Sequence, residues 1–227
     1  MKLLAIETAT EACSAALYVD GEIQQRYQVQ PRRHSELILP MMEQLLAEAQ
    51  LGLGQLDALA FGRGPGSFTG VRIATGVIQG AAFAADLPVV PVSTLAALAQ
   101  RAFREQGFQR ILPAYDARMN EIYWAGYQVD GEGLVRPVLA EQVVSPERVT
   151  APQGRGWHGV GSGWKAYREV LSANLGTALD SCDAELLCSA LDLARLAVDD
   201  YLAGKAVAAE QALPIYLRDQ VAWSKQA

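Results

Sequence analysis

The sequence of 227 residues is poor in the side chains on which metal and redox chemistry depends, with three cysteines and two histidines. Cys13, Cys182 and Cys188 form no CxxC pair and have no histidine beside them, so the sequence predicts neither a zinc site nor a disulfide framework. Buried, reduced thiols are expected instead. We therefore expect neither a bound metal ion nor catalytic residues that depend on one.

Lysine is missing between Lys2 and Lys165, and the net charge is −6. A broad phosphate-binding surface needs an excess of basic residues, so any RNA is expected to be held through a partner. The sequence also lacks a run of roughly 18 apolar residues, the length that spans a membrane. Glu7 interrupts the N-terminal apolar stretch too early for a signal peptide, which predicts a cytoplasmic protein without membrane contact.

Apolar periodicity predicts an α/β protein with two halves and a boundary near residue 108. The first half, 1–108, is expected to hold strands over 2–8, 13–19, 22–29, 57–64 and 87–93, a helix with Ser35 as its N-cap, and helices over 71–85 and 94–105. The second half, 109–212, is expected to hold strands over 109–117 and 121–129, a strand-like segment over 157–163, and helices over 164–173 and 184–203. The closing apolar segment LPIYLR opens the range 213–227, which we expect to pack back on the first half. Pro40 should kink the helix that follows Ser35 or fray its first turn.

The segment GRGPGSFTGVRIATG, residues 62–76, invites comparison with phosphate-binding loops. A Walker loop needs a lysine after its last glycine, but Gly70 is followed by Val71 and Arg72. The dinucleotide fingerprint and the nucleophile elbow also fail, because their required glycines are replaced by other residues. Two explanations remain open: the backbone N–H groups bind an anion at the start of the helix, or the glycines let the strand turn tightly against its neighbours.

The helix over 71–85 has a face of small residues, since Gly76, Gly80 and Ala84 are four residues apart. Each glycine inside a helix costs about 1 kcal/mol relative to alanine, so the face needs an explanation. Either it packs on this protein's own sheet or another helix approaches it closely. The wide apolar stripe of the helix after Ser35 favours a partner.

Several segments together resemble the TsaB (YeaZ) family: GRGPGSFTGVRIATG, HSELILPMME (34–43), PVSTLAALAQ (91–100), PAYDARMNEIYWAGY (113–127) and LPIYLR. The resemblance implies a two-lobed actin-like, Hsp70-like ATPase (ribonuclease H-like) fold with mixed sheets flanked by helices. It also implies a non-catalytic subunit that pairs with its paralogue TsaD, is joined by the ATPase TsaE, and forms a homodimer when alone. The modification is threonylcarbamoylation of adenosine 37 in tRNAs that read ANN codons, with tRNA reached only through the complex.

The resemblance assigns residues to two surfaces. The expected partner interface comprises His34, Leu37, Ile38, Met41, Leu45, Arg72, Ile73, Gly76, Val77 and Gly80. The expected degenerate nucleotide site comprises Glu7, Thr8, Thr10, Gly64, Gly66 and Ser67. The catalytic paralogue holds metal with an HxxxH pair, whereas here His34 stands four residues before Ile38, so no metal is expected. The turn ETAT, residues 7–10, has no glycine that would let the backbone approach a phosphate, so at most weak nucleotide binding is expected. The alternative function is an ATP-using enzyme with its site in the interlobe cleft.

Overall fold

The computed structural model describes residues 1–150 and 152–218, which form two five-stranded mixed sheets. The first sheet has the order β3-β2-β1-β4-β5. Its strands are β1 (Lys2–Glu7), β2 (Ala12–Val19), β3 (Glu22–Val29), β4 (Ala58–Gly62) and β5 (Val89–Val92). The second sheet comprises β6 (Arg110–Arg118), β7 (Glu121–Val129), β8 (Val135–Val144), β9 (Trp157–Val160) and β10 (Leu179–Asp183).

The two sheets repeat one topology. In each, three sequential strands form antiparallel pairs, and two later strands add in parallel on the other side of the first strand. The second sheet therefore has the order β8-β7-β6-β9-β10, which matches the first strand for strand. This duplication agrees with the two-lobed α/β fold that the sequence predicted.

Helices separate and cover the sheets, giving five layers. The helices are α1 (His34–Glu48), α2 (Phe68–Ala85), α3 (Thr94–Gln106), α4 (Ser162–Leu175) and α5 (Ala190–Leu202). Helices α1 and α2 pack on the outer face of the first sheet, and α4 packs on the outer face of the second. Helices α3 and α5 lie between the sheets in one shared core, so α5 contacts both halves although it follows the second sheet in sequence.

The helix starts differ from the sequence predictions for local reasons. Helix α2 begins at Phe68 because the Ser67 hydroxyl accepts from the backbone N–H of Gly70 at 3.4 Å, which caps the first turn. The prediction that Ser35 caps α1 is wrong: the N-cap is Arg33, and Ser35 lies in the first turn. Helix α1 also continues through Pro40. Helix α5 starts after Ser189, which accepts from the N–H of Leu191, so the prediction of a helix from residue 184 is too long.

Two strands were missed, and one segment is irregular. Strand β8 is an edge strand with Pro137 and shifts in register, and β10 has the polar sequence LDSCD, so neither shows a clean alternation. LPIYLR forms neither helix nor strand over 213–218, and the N–H of Ile215 donates to the carbonyl of Arg63 in the first half at 2.9 Å. The rest of the range predicted to pack back on the first half, 219–227, lies outside the described residues.

Candidate functional site

The outward face of α2 is the most open part of the predicted partner interface. Arg72, Gly76 and Gly80 are exposed there, and Ile73 and Val77 are half-buried. Phe83 continues the same face, being three residues beyond Gly80, and its side chain is 84% exposed. Between α1 and α2 this face opens into an apolar groove of about 400 Å³, which is lined by Leu39, Met42, Glu43, Leu46, Leu53, Gly76, Val77, Gly80 and Ala81.

Four residues assigned to the partner surface are instead buried in this chain's own core. His34, Ile38, Met41 and Leu45 form the inner side of α1, and the last three pack with the first sheet. The wide apolar stripe of α1 thus divides into a buried side and an outer side. Leu37 is half-buried, and the outer side also carries Leu39, which is 51% exposed. Leu39 and Phe83 were missed, although their spacing along the two helices places them on the outward faces.

Among residues 1–150 and 152–218, no packing contact requires glycine at positions 76 and 80. A Cβ atom built on either residue would have no atom within 4 Å outside the local helix backbone. The explanation that the small-residue face packs on the protein's own sheet is therefore excluded at these two positions. The two glycines therefore cost helix stability without relieving any contact among the described residues.

The glycine-rich turn before α2 differs, because the β1–β2 turn occupies the space that a side chain would need at Gly66 and Gly70. A Cβ atom on Gly66 would lie 2.6 Å from the carbonyl oxygen of Ala9, and one on Gly70 would lie 2.0 Å from that of Thr8. The N–H of Ser67 donates to the Ala9 carbonyl at 2.8 Å, and the Thr8 hydroxyl donates to the Gly70 carbonyl at 2.7 Å. Of the two explanations left open by the sequence, the structure supports tight turning against a neighbour.

The remaining residues of the expected nucleotide site lie beside this contact. The carbonyl of Gly64 accepts from the N–H of Thr94 at 3.0 Å, and the Thr10 hydroxyl accepts from the N–H of Ala12 at 3.4 Å. Glu7 is fully buried at the end of β1, and this burial raises its pKa to about 7, although the hydrogen bond that its Oε1 accepts from the N–H of Ala9 acts in the other direction. At neutral pH this enclosed carboxyl group is therefore only partly ionised.

The second half repeats the internal use of glycine. A Cβ atom on Gly161 would lie 2.6 Å from the carbonyl oxygen of Ala114, and one on Gly163 would lie 2.7 Å from the Ala114 Cβ. In the YDARMNE segment, Arg118 pairs locally with Asp116 at 3.0 Å, whereas Glu121 pairs with Arg218, 97 residues further along the chain. The prediction of a turn held by local pairs is therefore right for Asp116 and Arg118 but not for Glu121.

Three further features of the described residues concern metal ions, membranes and thiols. Residues 1–150 and 152–218 contain no group of three or more histidine, cysteine, aspartate or glutamate side chains placed to hold a metal ion. In the same ranges, no helix combines the length and hydrophobicity needed to cross a bilayer. All three cysteines are free thiols, two of them buried.

Comparison with known proteins identifies the family. The sequence model described as "TsaD: tRNA N6-adenosine threonylcarbamoyltransferase" matches residues 22–225. The tRNA threonylcarbamoyladenosine biosynthesis protein TsaB of Escherichia coli is 45% identical, with 99% of this chain and 98% of the relative covered. The protein of the same name from Haemophilus influenzae is 44% identical, with 99% of this chain and 97% of the relative covered.

Solved structures agree with this result. The structure described as "YeaZ from Pseudomonas aeruginosa" has 50% sequence identity and a TM-score of 0.89, covering 95% of this chain and 99% of that chain. The two matching sheets with flanking helices are accordingly those of a two-lobed actin-like fold. The chain therefore belongs to the TsaB (YeaZ) family.

Proposed function

We propose that this protein is a non-catalytic partner subunit in the synthesis of threonylcarbamoyladenosine on tRNA. It docks on a TsaD-like paralogue through the outward faces of α1 and α2, and it uses the same surface to form a homodimer when the paralogue is absent. A TsaE-like ATPase joins the pair, and tRNA is reached through the complex. The process is the one that the names of the E. coli and H. influenzae relatives give to those proteins.

The observation that carries the docking proposal is the open space around Gly76 and Gly80. Two glycines one helical turn apart let a second helix approach the α2 backbone closely, and the groove beside them offers apolar side chains for contact. Leu39 and Phe83 extend the apolar surface at the two sides of this small-residue patch. Large exposed apolar surfaces of this kind mark interaction sites in soluble proteins.

The proposal that the subunit is non-catalytic rests on the burial and hydrogen bonds that the candidate nucleotide-site and metal-site residues have within the chain. The Glu7 carboxyl is enclosed, the amides of Ser67 and Gly70 are paired within the chain, and His34 is buried at the start of α1. Docking would then act by favouring the active conformation of the catalytic paralogue through differential contacts. The alternative, an enzyme that uses ATP between the lobes, requires the β1–β2 turn to leave the glycine-rich turn.

Light scattering on the purified chain, alone and mixed with its TsaD-like paralogue, tests this function. We expect a dimer alone and a one-to-one heterodimer on mixing, and we expect Gly76→Leu and Gly80→Leu to abolish both. Ala166→Leu is the matched control, because Ala166 is an exposed helical residue on α4, away from α1 and α2. Normal pairing by both glycine variants, with the control also normal, would show that the proposed surface is wrong.

The ATP-using alternative is decided by calorimetry with magnesium ATP on the same samples. Micromolar binding that Glu7→Ala weakens would favour the enzyme. No detectable heat for the parent chain, with the chain still pairing, would remove that alternative and leave the docking function in place.

A further inference from the structure

The segment LPIYLR, residues 213–218, runs over the surface from the first half to the second. Just before it, the buried Ala212 accepts a hydrogen bond through its carbonyl from the side chain of Gln79 in α2 at 3.1 Å. The N–H of Ile215 then donates to the carbonyl of Arg63 at 2.9 Å. We call residues 212–218 the strap.

The middle of the strap is fixed on the first turns of α2 by Tyr216. The Tyr216 hydroxyl accepts from Nε of Arg72 at 3.0 Å, and its ring lies 5.9 Å from the ring of Phe68. The Arg72 guanidinium lies 3.6 Å from the centre of the Phe68 ring. Arg72 is four residues before Gly76, so it belongs to the outward face proposed for docking.

The end of the strap holds the turn between β6 and β7. Arg218 donates through Nη2 to the carbonyl of Ala117 at 3.2 Å and to that of Arg118 at 3.4 Å. The same group pairs with the carboxylate of Glu121 on the other side of the turn. The Nη2 group of Arg218 therefore contacts residues on both sides of the turn.

This turn needs a brace because its backbone is strained. Arg118, Met119 and Asn120 have φ values of 63°, 56° and 58°, so three successive residues with a Cβ atom lie in the left-handed region. Each such residue costs roughly 1 kcal/mol relative to a right-handed conformation, except where a short polar side chain helps. Strained conformations of this kind persist only where surrounding contacts hold them.

We infer that the strap couples the docking face of α2 to the β6–β7 turn, with Arg72 as the residue that links them. The two states are a seated strap, with the turn held left-handed by Arg218, and a released strap, with the turn relaxed. A partner helix that packs across Gly76 reaches Arg72 within one turn and changes its contacts with Phe68 and Tyr216. The coupling within the chain stands independently of any partner, and its use in docking rests on the proposed function.

Amide hydrogen exchange in the isolated, full-length chain tests the coupling. We expect Arg218→Ala to raise exchange over residues 117–121 by about tenfold, and Arg72→Ala and Tyr216→Phe to raise it by at least about threefold, since local opening governs exchange. Within the described residues, neither Arg72 nor Tyr216 forms a hydrogen bond or an aromatic contact with residues 117–121, so a merely local role would leave the exchange of the turn unchanged. Unchanged exchange over β1 shows that each variant is folded.

Arg33→Ala is the matched control, because Arg33 is an exposed arginine of the first half that pairs locally with Glu36 at 2.8 Å. It should leave exchange over 117–121 at the parent level. If Arg72→Ala and Tyr216→Phe also leave it there, the coupling is overturned, whatever Arg218→Ala does. An equal rise in the Arg33→Ala control overturns the inference as well, since the effect would then be unspecific.

Amide exchange over residues 117–121, measured after the TsaD-like paralogue is added, tests whether docking uses the coupling. We expect exchange over 117–121 to change by at least about threefold in the heterodimer. If light scattering shows the heterodimer and exchange does not change, the link to docking is wrong while the docking function stands. If no heterodimer forms, the docking function and this last step fail together, and the coupling is still decided by the isolated variants.

Discussion

Glu7 and Gly62 end two adjacent parallel strands, β1 and β4, and a Cβ atom on Gly62 would lie 1.8 Å from Oε2 of Glu7. The carboxyl group is therefore enclosed by the backbone of β4 on one side and by Cys188 and Thr94 among its other neighbours. Cys188 precedes α5 and Thr94 begins α3, so Glu7 lies where the layer between the sheets begins. A carboxylate at the position of Glu7 would suit a metal–nucleotide complex if it faced an open cleft. In this chain it is buried in the core.

The enclosure of Glu7 predicts a pH dependence of stability. Burial raises its pKa from 4.5 to about 7, so the unfolded chain loses this proton at lower pH than the folded chain. The stabilisation from the neutral carboxyl is complete below pH 4.5 and is lost as the pH rises to about 7. The loss should be about 3 kcal/mol, to be measured by urea unfolding at a series of pH values.

Glu7→Gln is the control for this dependence, because the amide is similar in size and does not ionise. Subtracting its stability profile from that of the parent removes the contributions of the other titrating groups. We expect the difference to grow between pH 4.5 and 7 and then to level off. Parallel profiles for the two proteins would contradict a buried, neutral Glu7.

Gly62→Ala should destabilise the fold through the same contact. The added Cβ atom cannot be accommodated unless Glu7 leaves its place against β4, and that would break the hydrogen bond from the N–H of Ala9. We expect a loss of roughly 2 kcal/mol or more, visible as a lower midpoint in urea. Glu7→Gly in the same background should recover part of it, because the added methyl group then no longer meets the carboxyl group.

Much of this fold was predictable because its strands and helices have regular apolar periods. Strands β1, β2 and β3 and helix α3 differ from their predicted bounds by one residue or so. The failures are physical: β10 is polar, and β8 combines an edge position with Pro137. The cap of α1 was misassigned because a serine near a helix start is favoured at the N-cap, yet here Arg33 occupies that place without a side-chain bond.

The candidate surface was predictable only in part. Gly76 and Gly80 stand out in the sequence because glycine is unfavourable in a helix, and no packing contact among the described residues compensates for that cost. On α1, paired apolar positions such as Leu37 and Ile38 cannot be divided by sequence into inner and outer sides, because both fall within one wide stripe. For the segment that holds the strap, the sequence predicted packing on the first half but not the contacts of Arg218 with the β6–β7 turn, since these join residues more than 95 positions apart.

The ion pair between Arg104 and Asp192 predicts an asymmetric mutational effect. The two groups are joined by two bonds of 2.8 Å between α3 and α5, and Asp192 is fully buried whereas the Arg104 side chain is 29% exposed. Arg104→Ala leaves a buried aspartate without its partner and should cost roughly 3 kcal/mol. Asp192→Ala leaves an arginine that can turn towards water, so its cost in thermal or urea unfolding should be smaller; the reverse order would contradict the assignment.

Replacing Gly76 and Gly80 with alanine should separate stability from pairing. Both residues lie inside α2 with open space around them, so alanine should stabilise the isolated chain by about 1 kcal/mol at each position. The same methyl groups would hold an approaching helix away from the α2 backbone and weaken the homodimer and the heterodimer. Urea unfolding under monomeric conditions measures the first effect, and light scattering over a dilution series measures the second. A double variant that is more stable and pairs as tightly as the parent would mean that the two glycines serve no close contact, and the docking surface would then have to be sought elsewhere than on the outward face of α2.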